Sequence, residues 1–351
     1  MNTLWDIAVE KSNREQDEGK SAVENSLFLM GSKNAGKTSV LMRFLDRPEA
    51  PKPTVALEYT YGRRAKGHNM AKDIGHLWEL GGGTWLSKLM DIPLNTDNLL
   101  QTGVMIVVDL SNPCEIWFTL ETLLAASRAR IETVIADIRH TDSSIRETIK
   151  TRMWERLGED LPDKAMIDPF PVPLFIVGSK YDLFQEFDSE KRKVICKTLR
   201  FIAHINGASL HFFSTKHEQL VNRVRSVISS HLFGTAASKT LQTEYNKPLM
   251  VPAGLDSLAS IGNVPLSDKD VGRVNAKKPI DLWKHCFTSY FPQTATDNPA
   301  KVDDPAKDPK YAESAVDTVR AQKDEELERY RRQSDRRAQK KSQGRYDEVM
   351  A

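Results

Sequence analysis

Eight consecutive residues, Gly31-Ser32-Lys33-Asn34-Ala35-Gly36-Lys37-Thr38, have the types and the spacing to hold a phosphate group. They match the pattern G-x-x-x-x-G-K-[ST] in full. An apolar run, Ser26-Leu27-Phe28-Leu29-Met30, precedes them and a helical pattern follows over 39–45, which is the strand–loop–helix setting the pattern requires. The glycines let backbone N–H groups turn inward around phosphate oxygens. Lys37 would reach the β- and γ-phosphates, Thr38 would offer a hydroxyl to Mg²⁺, and the helix N-terminus adds a favourable dipole. A chance glycine turn, or an inherited loop that no longer binds, are the alternatives.

Two later stretches bear on the base. Gly178-Ser179-Lys180-Tyr181-Asp182 ends a predicted strand with Ser-Lys-x-Asp, where GTPases carry Asn-Lys-x-Asp. A carboxylate there accepts two hydrogen bonds from the Watson–Crick edge of guanine, and the lysine stem packs over the base. Asp182 and Lys180 supply both roles, and Ser179 replaces the asparagine. Ser214-Thr215-Lys216 follows another strand, where GTPases place Ser-Ala-Lys against the guanine carbonyl. Together the stretches favour guanine over adenine, and GTP or GDP with Mg²⁺ as the cofactor. An ATPase or small-molecule kinase would need an additional acid or an arginine lid, and none is identifiable.

The hydrolytic pieces are poorer. In Trp78-Glu79-Leu80-Gly81-Gly82-Gly83, Glu79 takes the place of the aspartate that holds the metal through water. Gly82 keeps the amide that would sense a γ-phosphate. Gly83 stands where a water-orienting glutamine would be and has no side chain for that work. Thr54 is the candidate switch threonine for Mg²⁺, with a solvated loop threonine as the alternative. The metal set is therefore Thr38, Thr54 and Glu79, with no catalytic residue assigned. The pattern fits a site that binds nucleotide without efficient turnover; an active GTPase switch is the competing reading.

These loops need strand ends to position them. Strand patterns over 26–30, 55–61, 74–80, 102–110, 174–177 and 210–213 alternate with helical patterns over 39–45, 116–138, 144–156, 190–204 and 219–232. Such alternation predicts an α/β domain with a mostly parallel, six-stranded sheet covered on both faces. It occupies residues 25–234. Residues 1–24 read as a short helix, with Leu4, Trp5, Ile7 and Ala8 on one face, and a linker. Residues 235–278 are rich in Ser, Gly, Pro, Asn and Asp and read as an extended arm. Pro279 opens a helix that places Ile280, Trp283, Phe287 and Tyr290 or Phe291 on one face, closing an arm region of 235–295. That face would dock on a partner or pack back onto the chain itself. Residues 296–351 carry 13 acidic and 13 basic side chains, with Leu327 as their single leucine and no Ile, Phe or Trp. They read as a largely disordered tail, with a solvated helix over 324–341.

Composition narrows the class. The 351 residues carry a net charge of +2, which argues against nucleic acid as a partner. Cys114, Cys196 and Cys286 lie far apart, as in a reduced cytosolic chain. No histidine shows metal-ligand spacing. Val104 to Val108 is far too short to span a bilayer, and Met1 to Asp6 lacks the basic flank and apolar core of a signal peptide. The basic clusters Arg63/Arg64/Lys66, Lys191/Arg192/Lys193 and Arg331 to Lys341 read as solvated surface, the last screened by Glu325, Glu326 and Glu328.

Several stretches together carry a family resemblance: Pro51-Lys52-Pro53-Thr54-Val55-Ala56-Leu57-Glu58-Tyr59-Thr60-Tyr61-Gly62-Arg63-Arg64, Trp78 to Gly83, Asp168-Pro169-Phe170-Pro171-Val172-Pro173, Gly178 to Asp182, Lys191 to Arg200, and Asp304 to Glu313. Over nearly its whole length the chain resembles the light intermediate chains of cytoplasmic dynein-2, in the dynein light intermediate chain family. The resemblance implies a P-loop, Ras-like G domain in a non-catalytic accessory subunit of that motor. It implies a dynein-2 heavy chain as partner, for which the face of Ile280, Trp283, Phe287 and Phe291 read above is the candidate docking surface, together with other dynein-2 subunits and the intraflagellar transport machinery. The implied work is stabilising the heavy chain, retrograde transport on microtubules inside cilia, and cilium assembly. The implied places are cytoplasm, cytoskeleton, axoneme, ciliary basal body or centrosome, and Golgi, with no direct membrane insertion.

Overall fold

The computed structural model describes residues 24–65, 72–158, 161–236, 238–265, 278–294 and 313–350. The expected N-terminal helix, Lys66 of the first basic cluster, residues 266–277 of the arm and 304–312 of the tail lie outside the described residues.

The chain divides into two units, Met1–Asp297 and Asn298–Ala351. The first is built on a sheet of seven strands: β1 (Glu24–Gly31), β2 (Leu57–Arg64), β3 (Asp73–Leu80), β4 (Thr102–Asp109), β5 (Leu174–Ser179), β6 (Ser209–Phe212) and β7 (Met250–Val251), in the order β2-β3-β1-β4-β5-β6-β7. The β2/β3 and β6/β7 pairs are antiparallel and the rest parallel. The sequence pattern predicts six strands. The seventh is two residues of the arm that pair through Leu210 with Val251 and His211 with Met250, too short to leave a periodic signal.

All eight residues of β4 are buried, as expected of a central parallel strand covered on both faces. Its alternate side chains serve two cores. Val104, Ile106 and Val108 join Phe28 and Met30 under α2 (Ile116–Ile138) and α5 (Ser189–Ile205). Met105 and Val107 join Leu27 and Leu29 under α1 (Lys37–Phe44) and α6 (Glu218–Phe233). Of the remaining helices, α3 (Ile145–Leu157) follows α2 and α4 (Tyr181–Phe184) caps β5.

The arm is part of this folded unit. Arg200 on α5 makes a two-pronged ion pair with Asp256 at 2.8 and 2.6 Å, both side chains buried, and also donates to Ser260 at 2.8 Å. Asp163 accepts from the backbone N–H of Leu258, at the start of α7 (Leu258–Ile261), and bonds His204 at 2.8 Å. Helix α8 (Pro279–Tyr290) lays Trp283 flat on Phe201, with ring centroids 4.6 Å apart, and Phe287 against Trp117. Gln293 then caps α2, accepting from the N–H groups of Trp117 and Phe118.

This packing corrects the expectation that the aromatic face of α8 serves a partner. Trp283, Phe287 and Phe291 are 4%, 0% and 6% exposed, buried against the chain's own α2 and α5, whereas Ile280 is 38% exposed. Burying three aromatic side chains intramolecularly is strongly favourable.

In the second unit, α9 (Ser314–Met350) is a 37-residue helix, longer than the 324–341 stretch predicted. Its described side chains are exposed. Pairs three or four residues apart, Lys323–Glu326, Arg329–Glu325 and Arg332–Glu328, support it without a core. Among the described residues no helix is long and apolar enough to cross a membrane.

Candidate nucleotide site

The site is built from loops that leave the carboxyl ends of β1, β3, β5 and β6, the edge where open α/β sheets bind ligands. Gly31 ends β1 hard against β4: a Cβ there would collide with the carbonyl oxygen of Val107. The chain then turns through Asn34, at φ 62°, and Gly36 into α1. Ser32 and Ala35 are buried, Lys33 and Asn34 exposed, and the Ala35 N–H closes the turn on Ser32 O at 3.2 Å. Lys37 is buried inside the loop, where its ammonium donates to Gly31 O at 3.2 Å and Ser32 O at 2.9 Å. A cation held by loop carbonyls in this way faces any anion that the loop cradles.

Beside it, three oxygen-bearing side chains converge. Thr38 Oγ1 donates to Glu79 Oε1 at 2.7 Å and lies 3.4 Å from Thr54 Oγ1. Glu79 is the penultimate residue of β3 and is 3% exposed. Burial lifts its carboxyl above the usual range, against hydrogen bonds from Thr38 and Thr54 and the charge of Lys37. Two hydroxyls and a carboxylate are hard donors of the kind Mg²⁺ takes, so the residues fit that ion. The segment carrying Thr54 is tied to the one after β3 by Gly81 N–H on Ala56 O at 2.6 Å. Gly82 and Gly83 follow at φ 67° and 65°.

At the base end, two loops are joined by Tyr181 N–H on Phe213 O at 3.1 Å and Phe213 N–H on Gly178 O at 2.7 Å. Asp182 accepts from Ser214 Oγ at 2.7 Å and pairs with Lys216 Nζ at 2.7 Å. Burial alone would raise its carboxyl, but the Lys216 and Ser214 hydrogen bonds outweigh this and hold it below the usual carboxylate range. Ser214 also accepts from the Lys216 N–H, and Thr215 is exposed beside them. Ser179 donates to Val108 O at 3.1 Å, and its Cβ lies 3.7 Å from where a Cβ on Gly36 would sit, so base and phosphate loops abut.

All the residues read from the sequence as a nucleotide site thus fall along one edge. The α8 residues do not join them. Sequence reasoning missed Asp109, which ends β4, accepts from Ser111, and forms an ion pair with Lys180. An acid closing the apolar run Val104 to Val108, beside the other strand ends, was the available signal.

A family model for the dynein light intermediate chain matches residues 1–159. The chain is 52% identical to the cytoplasmic dynein 2 light intermediate chain 1 of Bos taurus over 337 residues, which cover 95% of this chain and 96% of that one. The Homo sapiens protein of the same name is 49% identical over the same shares. Among solved structures, the conserved domain of a dynein light intermediate chain superposes with a TM-score of 0.53 at 17% identity, covering 81% of this chain and all of that one; it has the same P-loop, Ras-like fold. Identity of this extent over almost the whole length leaves one assignment: the chain belongs to the dynein light intermediate chain family, among the light intermediate chains of cytoplasmic dynein 2.

Proposed function

We propose that this chain is a non-catalytic accessory subunit of the cytoplasmic dynein 2 motor, and that its G domain is a scaffold holding GTP or GDP with Mg²⁺ as a structural ligand. The observation that carries the reading is the 49–52% identity to curated light intermediate chains over 95% of the chain. The site supports it in kind: phosphate, metal and base groups are assembled, while position 83 offers no side chain to orient a water. The G domain spans 25–234, the arm 235–295 and the tail 296–351. The chain binds and stabilises the dynein-2 heavy chain, joins other dynein-2 subunits and the intraflagellar transport machinery, and serves retrograde transport and cilium assembly. It works in the cytoplasm and on microtubules, at the ciliary base or centrosome and along the axoneme, and at the Golgi. With Trp283, Phe287 and Phe291 buried, the heavy chain docks on exposed surface, Ile280 included.

Removing the chain from ciliated cells tests the reading. Heavy-chain abundance falls, cilia shorten, and re-expression restores both. Unchanged heavy chain and cilia after full removal sink it. The convergence of Thr38, Thr54 and Glu79 favours a second reading, an active GTPase. GTP turnover by the purified chain that Lys37→Ala abolishes establishes it; bound guanine nucleotide without turnover leaves the scaffold.

A further inference from the structure

At the end of the sheet away from the phosphate loop, a cavity of about 360 Å³ opens between α3 and the segments leading into β4 and β5. Leu99, Ile149 and Val172 give it a buried apolar floor, and Pro171 and Pro173 a rigid wall. Arg152 and Arg156, one turn apart on α3, line the same space. The volume falls within the range of small-molecule pockets, about 300–1,000 Å³.

Arg156 is the feature that selects a ligand. Its side chain is half-buried, and Nη2 donates to Phe170 O at 2.9 Å, a neutral partner. Burial pushes the group down to about 10. Arg128 is the internal contrast. It is also half-buried and lowered, but Asp168, at 3.2 Å, and Glu132 act to raise it. Arg200 likewise has Asp256. Among the described residues no carboxylate lies within ion-pair distance of Arg156, Glu155 of the cavity lining included. A partly desolvated cation without a counter-charge is unfavourable, and this one sits above an apolar floor. Arg152 adds a second cation, donating to Leu100 O at 3.4 Å.

We propose that this cavity is a binding site for a small aliphatic carboxylate, its acid group on the guanidiniums of Arg156 and Arg152 and its chain on Leu99, Ile149 and Val172. Nothing in the nucleotide site takes part. The ligand is one a short-chain acid probe can mimic.

Hexanoate and its uncharged counterpart hexanol are the probes, titrated into the full chain while the methyl resonances of Ile149 and Val172 are followed. Both methyls shift with hexanoate, and hexanol binds at least tenfold more weakly. Arg156→Met brings the two probes level, and Arg156→Lys restores part of the preference. Equal affinity in the wild-type chain, or a preference that survives Arg156→Met, overturns the proposal; the wild-type comparison decides even if Arg156→Met does not fold. Glu159 and Asp160 follow α3 in sequence, so Glu159→Gln/Asp160→Asn is the companion variant. Unchanged hexanoate affinity supports the site, whereas a tenfold gain shows that the chain's own acids fill it and overturns it. Binding of the capped peptide acetyl-Val-Glu-Val-amide in place of hexanoate also overturns it, in favour of a protein partner.

Discussion

At the phosphate end of the candidate site, Lys37, Thr38 and Glu79 are buried or half-buried and bonded to one another's surroundings before any ligand enters. At the base end, Asp182 is held by Ser214 and by an exposed Lys216, and Lys180 is paired with Asp109. The first arrangement receives an anion without giving anything up. The second must exchange bonds that already satisfy its carboxylate for bonds to a base. Preorganisation therefore favours phosphate affinity, while base selectivity is a difference between two satisfied states.

The largest expected effect breaks the phosphate end alone. Lys37→Ala removes a buried ammonium and lowers GDP affinity by roughly 100-fold or more, about 2.8 kcal/mol, read by calorimetry on the purified chain. A loss under tenfold would mean that the loop amides suffice and that this end is no better organised than the other.

Asp182→Asn sharpens the contrast at the base end. An amide cannot accept both guanine hydrogen bonds, and charged hydrogen bonds of this kind are each worth about 1.5–3 kcal/mol. GDP affinity falls roughly 10- to 100-fold while affinity for xanthosine diphosphate rises, measured by competition. Equal losses for both nucleotides would show that Asp182 works only as the partner of Lys216 and Ser214.

Glu79→Gln acts at the metal. The folded-state carboxyl lies above its unfolded value because of burial. Its contribution to stability is thus present at acid pH and is lost as pH rises through the folded value. In EDTA at neutral pH, Gln at 79 raises the thermal midpoint by a few degrees, at roughly 2–4 °C per kcal/mol for a domain of this size. The gain vanishes near pH 4. Mg²⁺ added with GDP stabilises the wild type and not the variant. A variant that still responds to Mg²⁺ removes Glu79 from the metal set.

Much of this was legible in the residues. The eight-residue phosphate motif needs a strand before it and a helix after it, and β1 and α1 stand there. Central strands announce themselves as unbroken apolar runs, and α2 was readable to the residue, Ile116 to Ile138. What periodicity could not show was pairing across distance. Trp283 on Phe201 and Arg200 on Asp256 join segments more than fifty residues apart, so an aromatic stripe that looked available is in fact interior. Asp109 escaped for the same reason: its partner, Lys180, lies on another strand end. The helix of the tail exceeds its predicted length because i,i+3 and i,i+4 charge pairs need no core.

The smallest effect concerns Gly83→Gln, which restores a residue of the type that orients water in GTPases. If a missing side chain alone silenced the site, the substitution would raise single-turnover GTP hydrolysis a hundredfold. The backbone argues for far less. Gly82 and Gly83 are both left-handed, at φ 67° and 65°, and a side chain at such a position costs on the order of 1 kcal/mol. Gly81 is pinned to Ala56 O immediately before them, which leaves little freedom to relax. A glutamine added here starts from a path that side chains rarely follow, so it has no reason to project over the phosphate loop. The expected gain is below tenfold, with a small loss in thermal midpoint. A hundredfold gain would mean that the phosphate end is complete for catalysis as well as for binding, and the scaffold reading would give way to the GTPase.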